Sequence, residues 1–209
     1  MIDNLVTVIN QKGGVGKTTT VINLSTAIAL SGKKVLIIDM DPQGNATTGL
    51  GISQIADEGS IYAVLNGCVE LPSTIRKTRI NNLEIIPSNV NLAGFEVETA
   101  EERQRALILD NVLKKNYEIN LNKYSYIFID CPPSLNLLTI MSLVAANSLI
   151  VPLQAEFFAL EGLSQLMKTI DRIKIKLNPE LSIRGVLLTM FDKRNKLSSQ
   201  VDMEARNFF

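Results

Sequence analysis

Residues 12–19 read Lys-Gly-Gly-Val-Gly-Lys-Thr-Thr, and the prediction of the fold starts from this glycine-rich stretch. It lies between a short β-rich run, Leu5–Asn10, and a segment with helical periodicity, Thr18–Leu30. A glycine-rich turn between a strand and a helix is the setting of a phosphate-binding P-loop, because its backbone N–H groups and the helix N-terminus can all point at an anion. The sequence therefore predicts a phosphate site at this loop, and the alternative is a chance glycine-rich turn.

Each residue type in the loop has a chemical use at such a site. We expect Lys17 to reach the β- and γ-phosphates of a nucleotide and the Thr18 hydroxyl to ligate Mg²⁺. The helix that follows adds about half a positive charge at its N-terminus. The predicted nucleotide-binding residues of the loop are Lys12, Gly13, Gly14, Val15, Gly16, Lys17, Thr18 and Thr19.

The loop departs from the plain P-loop pattern in two ways. Gln11 stands where the first glycine would fall, and a second lysine, Lys12, stands at the mouth of the loop. One nucleotide does not need two lysines from one loop, and Gly13 and Gly14 leave a bare surface that another backbone could approach. We interpret this as two subunits facing each other, with Lys12 reaching the partner's nucleotide. The alternative is a solvated surface lysine.

Strands and helices alternate along the rest of the chain. This order predicts a single-domain α/β fold, with a mainly parallel β-sheet flanked by helices on both faces. The apolar runs lack alternation, which indicates strands buried on both sides. The further predicted strands are Val35–Asp39, Leu83–Ile86, Tyr126–Asp130, Ser148–Leu153 and Ile183–Met190. The further predicted helices are Ile61–Leu65, Glu101–Lys115, Leu137–Ala146, Glu161–Leu177 and Ser198–Phe208.

Composition fits one ordinary globular domain. The chain has 209 residues, of which 46% are hydrophobic and 20% charged, and this excludes a disordered tail, a collagen and a disulfide-stapled miniprotein. There is no histidine, which excludes a His-ligated zinc site and a histidine general base. Cys68 and Cys131 form no CxxC motif, which is typical of a reduced, cytoplasmic protein.

Two of the predicted strands end in aspartate, at Asp39 and Asp130. Mg²⁺ prefers oxygen ligands and keeps several waters, so a carboxylate at a strand end can serve its outer shell. By pattern alone either residue could be the acidic residue of the site. Either could also be an ordinary turn or cap aspartate, and so could Asp41.

Four segments together resemble the ParA/Soj chromosome- and plasmid-partitioning ATPases. The loop matches their deviant Walker A pattern KGGxGK[ST], and Asp39–Asn45 is similar to their DxDPQGN stretch. Ile129–Ser134 resembles their Walker B stretch, and Thr189–Arg194 resembles their TMxDxR segment. The resemblance runs from residue 5 to about 208. It implies a CobQ/CobB/MinD/ParA-type P-loop ATPase that uses ATP and Mg²⁺.

The resemblance also implies roles for single residues. Asp130 becomes the Walker B acid, Asp39 lies near the magnesium shell, and Asp41 orients the attacking water. Met190 and Asp192 join the nucleotide-binding set. The metal set is then Thr18, Asp39 and Asp130, and the catalytic set is Lys12, Lys17 and Asp41.

The motifs contain no obvious arginine finger, a group typically worth ~10³–10⁵ in rate. Lys12 of one subunit would take that role by reaching the nucleotide of the partner subunit in a dimer. We therefore expect a slow ATPase until two subunits enclose two ATP molecules, with hydrolysis stimulated by a ParB-like partner.

The C-terminal end is basic although the whole chain is neutral. Residues 168–209 hold 9 basic and 5 acidic residues, a net charge of +4, against 12 and 16 in residues 1–167, a net charge of −4. With the resemblance, this favours sequence-independent binding to double-stranded DNA through phosphate contacts, and the candidates are Lys193, Arg194 and Lys196. The alternatives are a solvated helix face and an Arg194 that pairs with Asp192 or Asp202.

These features predict a cytoplasmic, nucleoid-associated partitioning ATPase that forms an ATP-dependent homodimer and does not bind membranes. One alternative is a MinD-like membrane-surface positioning ATPase, which would need a basic amphipathic C-terminal helix; the DPQGN stretch argues against it. Another alternative is a metabolic P-loop ligase such as dethiobiotin synthase. That function would give no role to Lys12 in a dimer. The uncapped Phe208-Phe209 end predicts that the family's usual C-terminal segment is missing.

Overall fold

A mainly parallel sheet organises the chain. The structure is a computed structural model that describes residues 4–53, 56–156 and 159–208. The strands are β1 (Leu5–Val8), β2 (Val35–Asp39), β3 (Arg76–Lys77), β4 (Leu83–Ile86), β5 (Tyr126–Asp130), β6 (Ser148–Gln154) and β7 (Ser182–Thr189). The sheet order is β3-β4-β2-β5-β1-β6-β7, and every pairing is parallel except that of β3 with β4.

Helices cover both faces of this sheet, so the predicted fold class is confirmed. Successive strand residues point to opposite faces, and each face has its own apolar cluster. The helices are α1 (Lys17–Leu30), α2 (Asn45–Gly49), α3 (Ile61–Leu65), α4 (Leu71–Thr74), α5 (Phe95–Glu98), α6 (Ile108–Asn116), α7 (Leu137–Ala145), α8 (Ala159–Lys176) and α9 (Lys196–Phe208). Val8 and Phe128 pack toward α1 and α2, whereas Leu36 and Ile129 pack toward α3, α6, α7, α8 and α9.

The segments that follow β1, β2 and β5 lie side by side at one end of the sheet. In parallel strands the carboxyl ends lie at the same side, and ligands of open α/β sheets bind there. Strands β2, β5 and β1 are neighbours, with Asp39 opposite Asp130 and Asp130 opposite Val8. The glycine-rich loop and the two strand-end aspartates therefore meet, although 91 residues separate the aspartates in the sequence.

One predicted helix is wrong in part. The segment predicted as helical over Glu101–Lys115 becomes α-helical at Ile108, after turns at 101–104 and a 3-10 turn at Arg105–Leu107. Residues 101–104 are all exposed and all polar, so this part offers no apolar side chain to the core. The helix begins where Leu109 and Leu113 can be buried one turn apart.

Strand and helix ends differ from the predictions by a few residues. The first strand ends at Val8 rather than Asn10, where the chain enters the loop, and β7 ends at Thr189, because Met190 has a left-handed φ of 52°. The short elements β3, α2, α4 and α5 were not predicted, since such pieces carry too few residues for a periodic pattern. The side chain of Phe208 and all of Phe209 lie outside the described residues. In the described part of the chain, no helix has the length and apolarity needed to cross a bilayer.

Candidate nucleotide-binding site

The loop between β1 and α1 is shaped by two left-handed glycines. Gly14 has φ 75° and Gly16 has φ 91°, a region that favours residues without a Cβ. Gly16 caps the N-terminus of α1. The Thr189 hydroxyl, at the end of β7, donates to the Val15 carbonyl over 2.8 Å and fixes the loop from the other side. The result is a turn whose backbone N–H groups precede a 14-residue helix, as an anion site requires.

Lys17 is buried at the base of this loop. Only 7% of the residue is exposed, and its Nζ donates to the Lys12 carbonyl over 2.8 Å. Burial lowers the pKa of its ammonium, while the nearby Asp130, Cys131 and Asp41 act in the opposite direction. An amine held in such a place gains from an incoming phosphate, because the anion compensates its desolvation.

Lys12 makes an ion pair that the sequence did not predict. Its Nζ contacts the Glu156 carboxylate just after β6, and its backbone N–H donates to Asn10 Oδ1 over 3.0 Å. The side chain is half-exposed, so the pair is open to solvent. In this state Lys12 is directed toward its own chain. It would have to leave Glu156 to reach a nucleotide on a partner subunit.

Asp39 is fixed by three hydrogen bonds at the end of β2. Its Oδ2 accepts from the Thr47 backbone N–H (2.9 Å) and from the Thr47 hydroxyl (2.7 Å), and its Oδ1 accepts from the Asp41 N–H (3.1 Å). Burial raises the pKa of Asp39 to about 6, although the hydrogen bonds from Thr47 oppose the rise. Asp39 therefore stabilises the turn that follows β2, which is the alternative role that the sequence left open. This role is compatible with a place in the outer shell of a metal.

Asp130 has no comparable support. Both its carboxylate oxygens are buried and lack a hydrogen-bond partner of good geometry in the described part of the chain. Burial, and then the Asp39 carboxylate, raise the pKa of Asp130 to about 7, while the Thr18 hydroxyl and Lys17 act in the opposite direction. A buried carboxylate without hydrogen-bond partners is costly to the folded state.

Asp41 lies between the loop and the start of α2. It is buried to all but 5%, and its Oδ1 accepts from the Gln43 N–H over 3.0 Å, an Asx-type turn. It faces a cleft of about 410 Å³. The described residues that line this cleft are Gly13, Gly14, Gly16, Lys17, Thr18, Thr19, Asp41, Asn45, Pro133 and Met190.

The cleft brings together most of the predicted nucleotide-binding residues but not all of them. Met190 lies at its rim with 61% of the residue exposed. Lys12, Val15 and Asp192 are not among the described residues that line the cleft. Lys12 and Asp192 instead form ion pairs, with Glu156 and Arg194 respectively, and the Val15 carbonyl accepts from the Thr189 hydroxyl. Asn45 and Pro133 line the cleft but were not predicted. Asn45 is the last residue of the DPQGN stretch and Pro133 lies within the Walker B stretch, and these positions were the signal available.

The residues present fit a magnesium ion held mainly by phosphate and water. In the described ranges, no group of three or more acidic or cysteine side chains could hold a metal by itself. Mg²⁺ is commonly bound by one or two carboxylates together with substrate phosphates. The unpartnered Asp130 oxygens, beside the Thr18 hydroxyl, suit the outer shell of such an ion.

The basic C-terminal region is exposed. Arg194 binds Asp192 through its backbone N–H (2.9 Å), Nε (3.1 Å) and Nη2 (2.9 Å). Lys193 and Lys196 are exposed and have no ion pair among the residues described. The Asp202 alternative for Arg194 is wrong, because Asp202 pairs with Arg206. The pairing of Arg194 with Asp192 was the alternative to a DNA contact, and the structure shows that pairing.

The fold and this loop define a P-loop nucleotide-binding domain. A family model described as an AAA domain matches residues 3–183. The chain is 50% identical to the chromosome partitioning protein ParA of Caulobacter vibrioides, over 96% of this chain and 74% of that protein. It is 46% identical to the sporulation initiation inhibitor protein Soj of Bacillus subtilis, over 98% and 79%. The chain belongs to the ParA/Soj family.

A solved structure supports the same architecture. Cobyrinic acid a,c-diamide synthase from Mycobacterium smegmatis, with bound ADP and magnesium, superposes with a TM-score of 0.90 at 36% identity. The match covers 99% of this chain and 82% of that one. The expected family resemblance and the P-loop fold are thereby confirmed.

Proposed function

We propose that the protein is a partitioning ATPase that binds ATP and Mg²⁺, and hydrolyses ATP slowly until it dimerises. The observation that carries this proposal is the arrangement around the loop, where the buried Lys17 ammonium and the unpartnered Asp130 carboxylate lie close enough to affect each other's pKa. The relatives named ParA and Soj support it. So does the fold neighbour crystallised with ADP and magnesium.

The chain's own residues divide the work at the cleft. The loop N–H groups and Lys17 would hold the phosphates, and Thr18, Asp39 and Asp130 would hold the metal and its waters. The metal, when bound, would neutralise negative charge on the β- and γ-phosphates. Asp41 would accept a hydrogen bond from the attacking water and orient it in line.

We place dimerisation and DNA binding downstream of ATP. Two subunits would enclose two nucleotides, with Lys12 exchanged from Glu156 to the partner's phosphate. The dimer would bind double-stranded DNA of any sequence, and a ParB-like protein would stimulate hydrolysis. We place the protein in the cytoplasm at the nucleoid, and we propose that the chain is a single ATPase domain.

Gly13 offers a direct test of the dimer. Its φ is not positive, and an added Cβ would lie 4.0 Å from the nearest atom, Pro133 Cβ. The isolated chain therefore has room for a side chain there. We expect Gly13→Val to retain ATP binding but to lose ATP-dependent dimerisation, because the valine would lie between two facing loops. Light scattering with ATP measures this.

The smaller Gly13→Ala variant is the matched control and should lose less dimer. Gly14 is unsuitable, since its φ of 75° would strain any side chain. ATP-dependent dimers of undiminished stability in Gly13→Val would exclude the facing-loop arrangement.

DNA titration with and without ATP separates the three classes of function. A partitioning ATPase binds DNA only with ATP, a membrane-positioning ATPase binds anionic vesicles instead, and a ligase binds neither. Arg194 is the residue to vary, because 91% of its side chain is exposed. Each lost phosphate contact lowers the slope of log K against log salt by ~0.9. We expect Arg194→Ala to lower it by about two units per dimer.

The ion pair with Asp192 gives Arg194 a competing, structural role. If Arg194 only stabilises its loop through this ion pair, Arg194→Ala lowers the melting temperature and leaves the salt dependence of DNA binding unchanged. That result would disprove the DNA contact. Lys193→Ala is the control, since Lys193 is exposed without an ion pair in the described part of the chain and its loss should change the slope alone.

A further inference from the structure

A chain of hydrogen bonds connects the end of β4 to Asp41 through the side chain of Thr47. Thr47, in α2, is 2% exposed and is not among the described residues that line the nucleotide cleft. Its Oγ1 donates to Asp39 Oδ2 over 2.7 Å and accepts from the Ser88 N–H over 3.0 Å. Asp39 Oδ1 in turn accepts from the Asp41 N–H over 3.1 Å. The Thr47 hydroxyl is therefore joined, through the Asp39 carboxylate, to the backbone of the residue that we place beside the attacking water.

The chemistry of these groups fixes the direction of each bond. An amide N–H can only donate, so Thr47 Oγ1 must accept from Ser88. A hydroxyl has one proton, and this proton then goes to the Asp39 carboxylate. The same carboxylate oxygen also accepts from the Thr47 backbone N–H over 2.9 Å. Thr47 thus supplies both donors to Asp39 Oδ2, and the other oxygen is left to hold Asp41.

A close approach of two backbone segments makes this arrangement possible. Gly44, which precedes α2, has a left-handed φ of 61°, and an added Cβ would lie 3.4 Å from the Ser88 carbonyl oxygen. A side chain at this position would strain the turn and separate α2 from the end of β4. Glycine here lets one threonine side chain reach both Ser88 and Asp39.

The turn that carries Asp41 depends on Asp39 for its position. Asp41 Oδ1 accepts from the Gln43 N–H over 3.0 Å, and the Asp41 carbonyl accepts from the Gly44 N–H over 2.9 Å. These two bonds hold the turn together, and the bond from the Asp41 N–H to Asp39 ties it to the buried end of β2. A shift of the Asp39 carboxylate would therefore move Asp41 within the nucleotide cleft.

We propose that Thr47 is a positioning residue for ATP hydrolysis, acting on Asp41 through Asp39. This role rests on the proposed function, because it takes Asp41 as the group that orients the water. A displacement of about 1 Å near the reacting atoms can cost on the order of 10² in rate. Asp39 keeps its bonds from the Thr47 and Asp41 N–H groups when the hydroxyl is lost. We therefore expect a smaller cost, of about tenfold in kcat.

Three threonine variants test this role. Thr47→Val removes the hydroxyl at nearly constant shape and should lower kcat about tenfold while leaving the affinity for ATP unchanged. Thr47→Ser keeps the hydroxyl and should restore most of the parental kcat. Thr74→Val is the matched control, because Thr74 in α4 is also buried and donates its hydroxyl to the Leu71 carbonyl over 2.8 Å. An equal loss of kcat in Thr74→Val would assign the effect to stability and overturn the proposal.

A double-mutant cycle separates positioning of Asp41 from a general structural effect. If Thr47 acts through the Asp41 carboxylate, Thr47→Val has little further effect once Asp41 is replaced by alanine. We expect the tenfold loss in the parent to shrink to less than about twofold in the Asp41→Ala background, measured by single-turnover phosphate release. Equal losses in the two backgrounds would overturn the proposal.

Hydrogen exchange in the nucleotide-free chain measures the contacts themselves. Thr47→Val should speed exchange at the Ser88 and Asp41 amides, and Thr47→Ser should not. If Thr47→Val does not fold, Thr47→Cys replaces it, since a thiol is a weak donor, and its kcat should lie between those of Thr47→Ser and Asp41→Ala. A parental kcat in the folded variant, with Asp41→Ala slow, would disprove the positioning role alone. A parental rate in Asp41→Ala would instead disprove the catalytic role of Asp41 in the proposed function.

Discussion

Asp41→Ala is expected to slow ATP hydrolysis by about 10²–10⁴-fold, the usual contribution of a group that handles a reacting proton or water. ATP binding should change little, because the loop and Lys17 hold the phosphates and Asp41 contacts neither Gly14 nor Gly16 through any hydrogen bond described. The variant should therefore accumulate as an ATP-bound dimer. Single-turnover phosphate release and nucleotide affinity, measured on the same sample, separate the two effects.

A second variant distinguishes chemistry from loop structure. Asp41 also closes a turn by accepting from the Gln43 N–H, and Asp41→Asn keeps an oxygen that can do the same. If turn closure is what matters, the asparagine variant hydrolyses ATP at the parental rate. If the negative charge orients the water, both variants are slow. Asp171→Ala, an exposed aspartate on α8, is the control for loss of a carboxylate. A parental rate in Asp41→Ala would remove Asp41 from the catalytic set.

Features of the fold that consist of one continuous stretch or of a periodic pattern of residues were predicted from the sequence. The glycine-rich loop is one unbroken stretch, and each central strand is an apolar run, so β2 and β5 were placed at their observed bounds. Parallel order then brought Asp39 and Asp130 to one edge, as their strand-end positions indicated.

Contacts between distant residues could not be predicted in the same way. Lys12 and Glu156 are 144 residues apart, and nothing in either local sequence indicates the pair. The Thr47 side chain reaches Asp39 only because α2 folds back over the end of β2, and α2 is too short to show a periodic pattern. Pairing of this kind depends on tertiary geometry, which the local sequence does not contain.

Asp130→Asn is expected to stabilise the nucleotide-free protein above neutral pH. Burial and Asp39 raise the pKa of Asp130 to about 7 from its ordinary 3.8. A raised carboxyl pKa means that the folded state binds the proton more tightly than the unfolded state. The stabilising contribution of the neutral carboxyl is therefore complete below about pH 3.8 and is lost as the pH rises through about 7. Asparagine is neutral throughout and avoids this loss.

The gain in the variant should be roughly 2 kcal/mol at pH 8, the scale of one unsatisfied buried polar group, or about 4–8 °C in melting temperature for a chain of this size. At pH 5 the two proteins should differ by much less. Thermal unfolding in EDTA without nucleotide, across this range, measures the difference. Asp171→Asn, on an exposed face, should show no such trend. Melting temperatures that run parallel for Asp130→Asn and the parent would show that Asp130 is not strained by burial.

Magnesium and ATP should reverse the order of stability. If the Asp130 carboxylate serves the metal shell, Mg-ATP binds the parent more tightly than it binds Asp130→Asn. Because a ligand stabilises the folded state in proportion to its affinity, Mg-ATP then raises the stability of the parent more than that of the variant. We expect Asp130→Asn to lose about 10–100-fold in magnesium-dependent ATP affinity, the usual range for residues that support a metal ligand. A variant that is both more stable alone and less stabilised by Mg-ATP would show that this carboxylate is maintained for binding at the expense of stability. Equal stabilisation of both proteins by Mg-ATP would remove Asp130 from the metal set and leave it a buried charge without an assigned use.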